Sequence, residues 1–322
     1  MKSNYRYIVK AFMAMAVIAG TTSCDDFLDR EPMSSISPET YYSTAAQLEA
    51  NLNDEYPNVL PSFGQWTYGI FGEDKGTDNQ IEVNANDRYT QDRWKVPHSE
   101  SDNWKFERIY RINFFLSEAL PKFGEDMSGS QNTISGSVAT IKHYIGEMYF
   151  LRAYEYFKKL QLFGDFPIIN QPLADEMEAL REASKRFPRN EVARFIISDL
   201  DKAYAYMSDV DMATTRINKD AAMLVKSRVA LFEATWLQNF KGTAFVPGGE
   251  GWPGASLHNN YQYPSGNLDN EVKYFLEQAV EASKLVADKY KGNLTENTGV
   301  LQQSADDPSN PYFDMFAQED LS

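Results

Sequence analysis

Four residues with flat aromatic faces, Trp66, Tyr68, Tyr89 and Trp94, share one glycine-punctuated stretch with Asp74, Asp78, Asn79 and Arg88. Flat rings stack on apolar C–H faces, and carboxylate, amide and guanidinium groups bond a rim of hydroxyls. The mixture suits a ring-shaped, hydroxylated ligand such as a saccharide. A second stretch, 239–267, repeats it with Trp252, His258, Asn259, Tyr261 and Tyr263 among glycines and prolines. For each aromatic another reading stands beside this one: a plug filling space beneath a long loop. Trp104 and Trp236 fall on helical apolar stripes and read as core.

Catalytic constellations are poorly represented. The histidines are His98, His143 and His258, none spaced with another as a metal pair on one helix face, and there is no Gly-x-Ser-x-Gly elbow or phosphate loop. Asp74, Asp78 and Asp87 lack the regular oxygen spacing of a calcium loop. Paired carboxylates hydrolyse glycosides only at a set separation, which acidic abundance alone does not supply. Asp165, just after Gly164, reads as an acceptor of hydrogen bonds within a turn. The expectation is a binding protein, not an enzyme, with no catalytic residue, metal or cofactor assigned.

These residues need a scaffold, and the periodicity supplies helices. The centre is Val138 to Ile169, apolar over most of its girth through Ile141, Tyr144, Ile145, Met148, Phe150, Leu151, Tyr154, Phe157 and Leu160. A helix coated that widely sits between neighbours. Gly164 stops it, and Asp165-Phe166-Pro167 keeps the exit extended. Before it, Thr44 and Gln47 form a capping-box pair for a helix from Ala45 to Asn58. Asp102 caps a second helix that Pro121 and Gly124 stop. After it come a short mixed-charge helix and three longer ones, capped by Asn190, by Asn218, and by Asp269 or Asn270, the last stopped at Gly292. Helices in successive pairs imply an all-α, tetratricopeptide-like layered domain with long irregular loops, although no fixed period repeats.

With 322 residues, 43% hydrophobic and 14% aromatic, the chain holds a packed core; 46 acidic against 31 basic residues disfavour nucleic acid as a partner. Its single cysteine, Cys24, excludes an intramolecular disulfide. Lys2, Arg6 and Lys10 flank a short apolar run, Ala11 to Gly20, which is too short to span a bilayer and reads as an export signal. The small residues Thr21-Thr22-Ser23 leading into Cys24 resemble a bacterial lipoprotein processing site, with the thiol lipidated and Asp25-Asp26 an acidic start of the Bacteroidetes surface-export type. The expected organisation is a signal peptide over 1–23, a lipidated tether over 24–43 and a helical domain over 44–322.

Several segments in order resemble the SusD/RagB family of outer-membrane nutrient-binding lipoproteins. They are Cys24 to Asp29 with Pro32, Ile36-Ser37-Pro38 to Tyr42, Trp104 with Tyr110 and Asn113, Gly146-Glu147 to Tyr154, Phe163 to Pro167, Asp199-Leu200 with Ala203, and Arg216 before Ala221-Ala222. The resemblance implies a tetratricopeptide-like superhelix tethered to the outer membrane at the cell surface through Cys24. It also implies an irregular face that captures oligosaccharides and passes them to a SusC-like TonB-dependent transporter. Members of that family are usually longer, and the stretch Phe313 to Glu319 looks like their passage into a carboxy-terminal half, so the resemblance further implies a missing carboxy-terminal portion. A helical-repeat scaffold that binds peptides or proteins remains the alternative.

Overall fold

The computed structural model describes residues 41–61, 80, 103–124, 126–208, 212–301, 304 and 306–317. Met1–Ser43 and Thr44–Ser322 are separate compact units, and every described helix lies in the second. Among the described residues the structure is all-helical: α1 (Ala45–Val59), α2 (Glu107–Phe123), α3 (Val138–Phe163), α4 (Met177–Ala183), α5 (Arg189–Tyr206), α6 (Lys219–Asn239), α7 (Leu268–Tyr290) and α8 (Pro311–Ala317), with a 3₁₀ turn at Pro253–Ser256. None of these helices is long and apolar enough to cross a membrane.

The helix ends follow local chemistry. Thr44 and Gln47 close the capping box of α1, each side chain bonding the other's backbone N–H at 3.3 and 3.1 Å. Ser137 and Asn218 cap α3 and α6 through their side-chain oxygens, and α3 stops at Gly164, whose φ of 69° favours glycine. Three boundaries differ from the sequence expectation. Helix α2 begins only at Glu107, because Trp104 and Phe106 are drawn into an aromatic cluster with Phe166. It also carries Pro121 inside its last turn and stops at Gly124, where Thr133 N–H takes up the Lys122 carbonyl at 2.8 Å. Helix α7 is capped by Asn267, upstream of Asp269 and Asn270, and ends at Tyr290 before Gly292.

Asn190 does not cap α5. Its amide nitrogen donates to Glu271 Oε1 at 2.9 Å and its oxygen accepts the Tyr261 hydroxyl at 3.0 Å, both long-range partners. The first N–H of α5, that of Arg189, is received by Asp165 Oδ1 at 2.9 Å. A side chain committed to tertiary bonds is lost to the local cap, and the turn aspartate takes over.

The helices stack in a row. α3 packs on α1, α2 and α5; α5 packs on α6; α6 packs on α7, so α3 with α5 and α6 with α7 form successive pairs. Core residues along α3 include Ile141, Ile145, Met148, Leu151, Tyr156 and Leu160, which line most of its circumference as its wide apolar girth requires. Buried ion pairs join the layers. Arg152 of α3 forks onto Asp199 of α5 at 2.6 and 2.8 Å, and Arg189 of α5 bonds Glu233 of α6 at 2.9 to 3.1 Å. Arg194 of α5 clasps Glu271 of α7 at 2.7 and 2.8 Å.

A candidate ligand cavity between the α3 exit and the 240–267 segment

The 240–267 segment is tied down by side chains more than by backbone ladders. Gly242, Gly248 and Gly251 turn it with φ of 80°, 73° and 76°. Trp236 Nε1–H donates to the Phe245 carbonyl at 3.1 Å, Tyr263 OH to the Pro247 carbonyl at 2.6 Å, and His258 Nε2 lies 2.8 Å from the Arg186 carbonyl. Trp252 Nε1–H donates to Asp165 Oδ2 at 2.7 Å, which pins the segment to the exit of α3. Gly254 is required there, because a Cβ would stand 2.2 Å from the Trp252 ring. The segment therefore lies over the ends of α3 and α6 as an ordered flap.

Beneath it is a cavity of about 550 Å³, within the size range of small-molecule sites. Its walls are Phe163, Trp236, Trp252 and Leu257, with Phe245 and Leu162 at 61% and 57% exposure. Three charged residues line it: Asp165, Arg186 and Arg189. Arg189 is buried, neutralised by Glu233, and its guanidinium carbon sits 4.1 Å from the Trp236 ring centroid. Burial pushes the Asp165 carboxyl above its ordinary range, against the bonds from Trp252 and the Arg189 N–H that pull it down. Burial likewise raises the Glu233 carboxyl despite the guanidinium beside it. Arg186 stacks 4.7 Å from the Trp104 centroid.

Trp252 and Tyr261 come together here, with centroids 5.6 Å apart. Trp252 is only 4% exposed and forms the inner wall of the cavity, while the Tyr261 phenol is committed to Asn190. Tyr263 and His258 join the same cluster. Trp66, Tyr68, Asp74, Asp78, Asn79, Arg88, Tyr89, Trp94 and Cys24 lie outside the described residues. Asp165 does what its turn position predicts, accepting hydrogen bonds through both oxygens. Trp236, assigned to the core by its helical spacing, is a half-buried cavity wall. Gln161, Leu162, Arg186 and Phe245 carried no signal as binding residues, because segments remote in sequence bring them together. The aromatic and glycine density of 240–267 was the one visible sign.

A SusD-like family model described as "Starch-binding associating with outer membrane" matches residues 26–231, more than half of the chain. Two proteins of Formosa agariphila are similar: SusD-like protein P25, 25% identical over 66% of this chain, and SusD-like protein P2, 25% identical over 75%. The aligned parts are 41% and 46% of those relatives, so the chain spans under half of their length. Among solved structures, a SusD-like protein of Bacteroides fragilis overlaps 84% of this chain and 43% of its own at 16% identity, with a TM-score of 0.45. A SusD-like carbohydrate binding protein of Bacteroides vulgatus overlaps 79% and 47% at 14% identity, with a TM-score of 0.44. Those overlaps are too loose to argue from, and the assignment stands on the sequence match: this chain belongs to the SusD-like family, described as starch-binding and associating with the outer membrane.

Proposed function

We propose that the protein is a surface-exposed outer-membrane lipoprotein, anchored through Cys24, that binds oligosaccharides or polysaccharides and delivers them to a SusC-like TonB-dependent transporter. The observation that carries this reading is the family match over residues 26–231, whose description names starch binding and outer-membrane association. Trp66, Tyr68, Tyr89 and Trp94 supply ring faces for stacking, and Asp74, Asp78, Asn79 and Arg88 supply hydroxyl partners. The family is described by binding and not by a reaction, and the role assigned to these residues is capture.

Calorimetry of the full chain against a panel of soluble polysaccharides and their oligosaccharides tests it. Saturable binding is expected, weakened roughly ten-fold by Trp66→Ala or Trp94→Ala with melting unchanged. A panel that yields no binding by the folded protein overturns the reading. For delivery, solubilised outer membranes that release the tagged protein without a TonB-dependent transporter, under conditions that preserve other lipoprotein complexes, remove the transporter from it.

A further inference from the structure

The cavity beneath the 240–267 flap combines two features that together select a ligand. One is an apolar rim and wall, Phe245, Leu162 and Trp236, which accept the C–H face of a sugar ring. The other is Arg186. Its guanidinium carbon lies 4.7 Å from the Trp104 ring centroid and the group has no hydrogen-bond or ion-pair partner among the described residues, although it lines the cavity and is exposed. A guanidinium held by a cation–π contact alone keeps its fork of N–H donors available, the arrangement that receives a carboxylate bidentately. The side-chain amide of Gln161, also on the lining and without a partner there, adds two more donors.

The other charges around the cavity do not compete for this role. Arg189 is held by Glu233 behind the wall, with both carboxylate oxygens engaged. Asp165 has one oxygen on the Arg189 N–H and the other on the Trp252 indole. The chain as a whole carries a net charge of −15, which repels acidic polymers in general, so an acidic sugar needs a dedicated cation.

We propose that this cavity is a saccharide subsite for an acidic sugar, a uronate whose ring lies on Phe245 and Trp236 and whose carboxylate is forked by Arg186 with Gln161 beside it. The subsite rests on the glycan-binding reading and deepens it by naming the sugar class.

The test is calorimetry of the full chain with trigalacturonate and triglucuronate, each beside its methyl ester, and with neutral hexasaccharides. The acid form of one of them is expected to bind on the order of ten-fold tighter than its ester. Raising salt should narrow that gap. Arg186→Gln, at an exposed position, should melt as the parent does and bind acid and ester alike; Phe245→Ala should weaken both. Equal binding of acid and ester by the parent protein, or an acid preference that survives Arg186→Gln, overturns the assignment of Arg186. Binding of neutral hexasaccharides without either uronate overturns the acidic-sugar inference and leaves glycan binding standing. Loss of every saccharide overturns both.

Discussion

At the scale of single residues, the buried charge at Glu271 is tolerated because both of its oxygens are bonded. Glu271 is buried, yet its oxygens accept from Arg194, Asn190 and the Ser265 N–H at 2.7 to 3.2 Å. Burial alone would push its carboxyl up; the bonds from Arg194, Asn190 and Ser265 outweigh burial and hold it below the ordinary glutamate range. A folded value below the unfolded one means that the contribution is fully present above the ordinary glutamate value. It is lost as the pH falls through the folded value. Glu271→Gln should therefore cost about 3 kcal/mol at neutral pH, toward the low end for a broken buried pair because the Arg194 side chain is 26% exposed. The acid-side fall in melting temperature should also become shallower. Thermal melts of both proteins from neutral to acid pH check this, and parallel curves would remove Glu271 as a source of the acid sensitivity.

A second residue-level network joins three segments. Glu147 of α3 accepts the Tyr56 hydroxyl at 2.5 Å and two Arg216 nitrogens at 2.8 and 2.7 Å, while Ile217 N–H donates to the Tyr56 oxygen at 3.1 Å. Ser208 N–H lies 3.2 Å from His143 Nδ1, and Nε2 lies 3.0 Å from both the Ile217 carbonyl and Glu147 Oε1. The charge at Glu147 is thus satisfied by residues far along the chain, and Ser208, Arg216 and Ile217 are held to α3 and α1.

At the scale of elements, α3 and α5 share the organising role. α3 touches four neighbours, but α5 supplies Asp199, Arg189 and Arg194 to the ion pairs that bind α3, α6 and α7. The two helices approach closely at Gly146, where a Cβ would stand 2.8 Å from the Met207 N and 3.0 Å from the Ala203 carbonyl. Both atoms are backbone at the end of α5, so neither can rotate away. Gly146→Ala should destabilise the fold by about 1–3 kcal/mol through this overlap, less the roughly 1 kcal/mol that alanine gains within a helix. Urea unfolding reads the net sign; a midpoint at or above that of the parent would show that the two helices have room to separate.

At the scale of the whole molecule, residues 1–43 and 44–322 are distinct compact units, and Cys24, the proposed lipidation site, belongs to the first. Replacing it should change location and not fold. Cys24→Ala is expected to leave the thermal melting of the helical unit unchanged and to abolish acyl labelling and recovery with outer membranes. Unaltered membrane recovery of the variant would break the lipid-anchor proposal.

What the sequence determined by itself was local. Capping chemistry set the starts of α1, α3 and α6 at Thr44, Ser137 and Asn218, and Gly164 set the end of α3. Helical periodicity set the all-α class, and ordered segments around Glu147, Asp165 and Asp199 carried the family resemblance. Tertiary structure alone decided which polar residues face one another. Asn190 reads as a cap until Tyr261 and Glu271 claim its amide, and Trp236 reads as core until the 240–267 segment turns its ring into a cavity wall. The reason is physical: a cap or a stripe involves partners within about one helical turn. The cavity, in contrast, is assembled from Gln161, Arg186, Trp236 and Phe245, whose proximity depends on how the helices stack and where the flap is pinned.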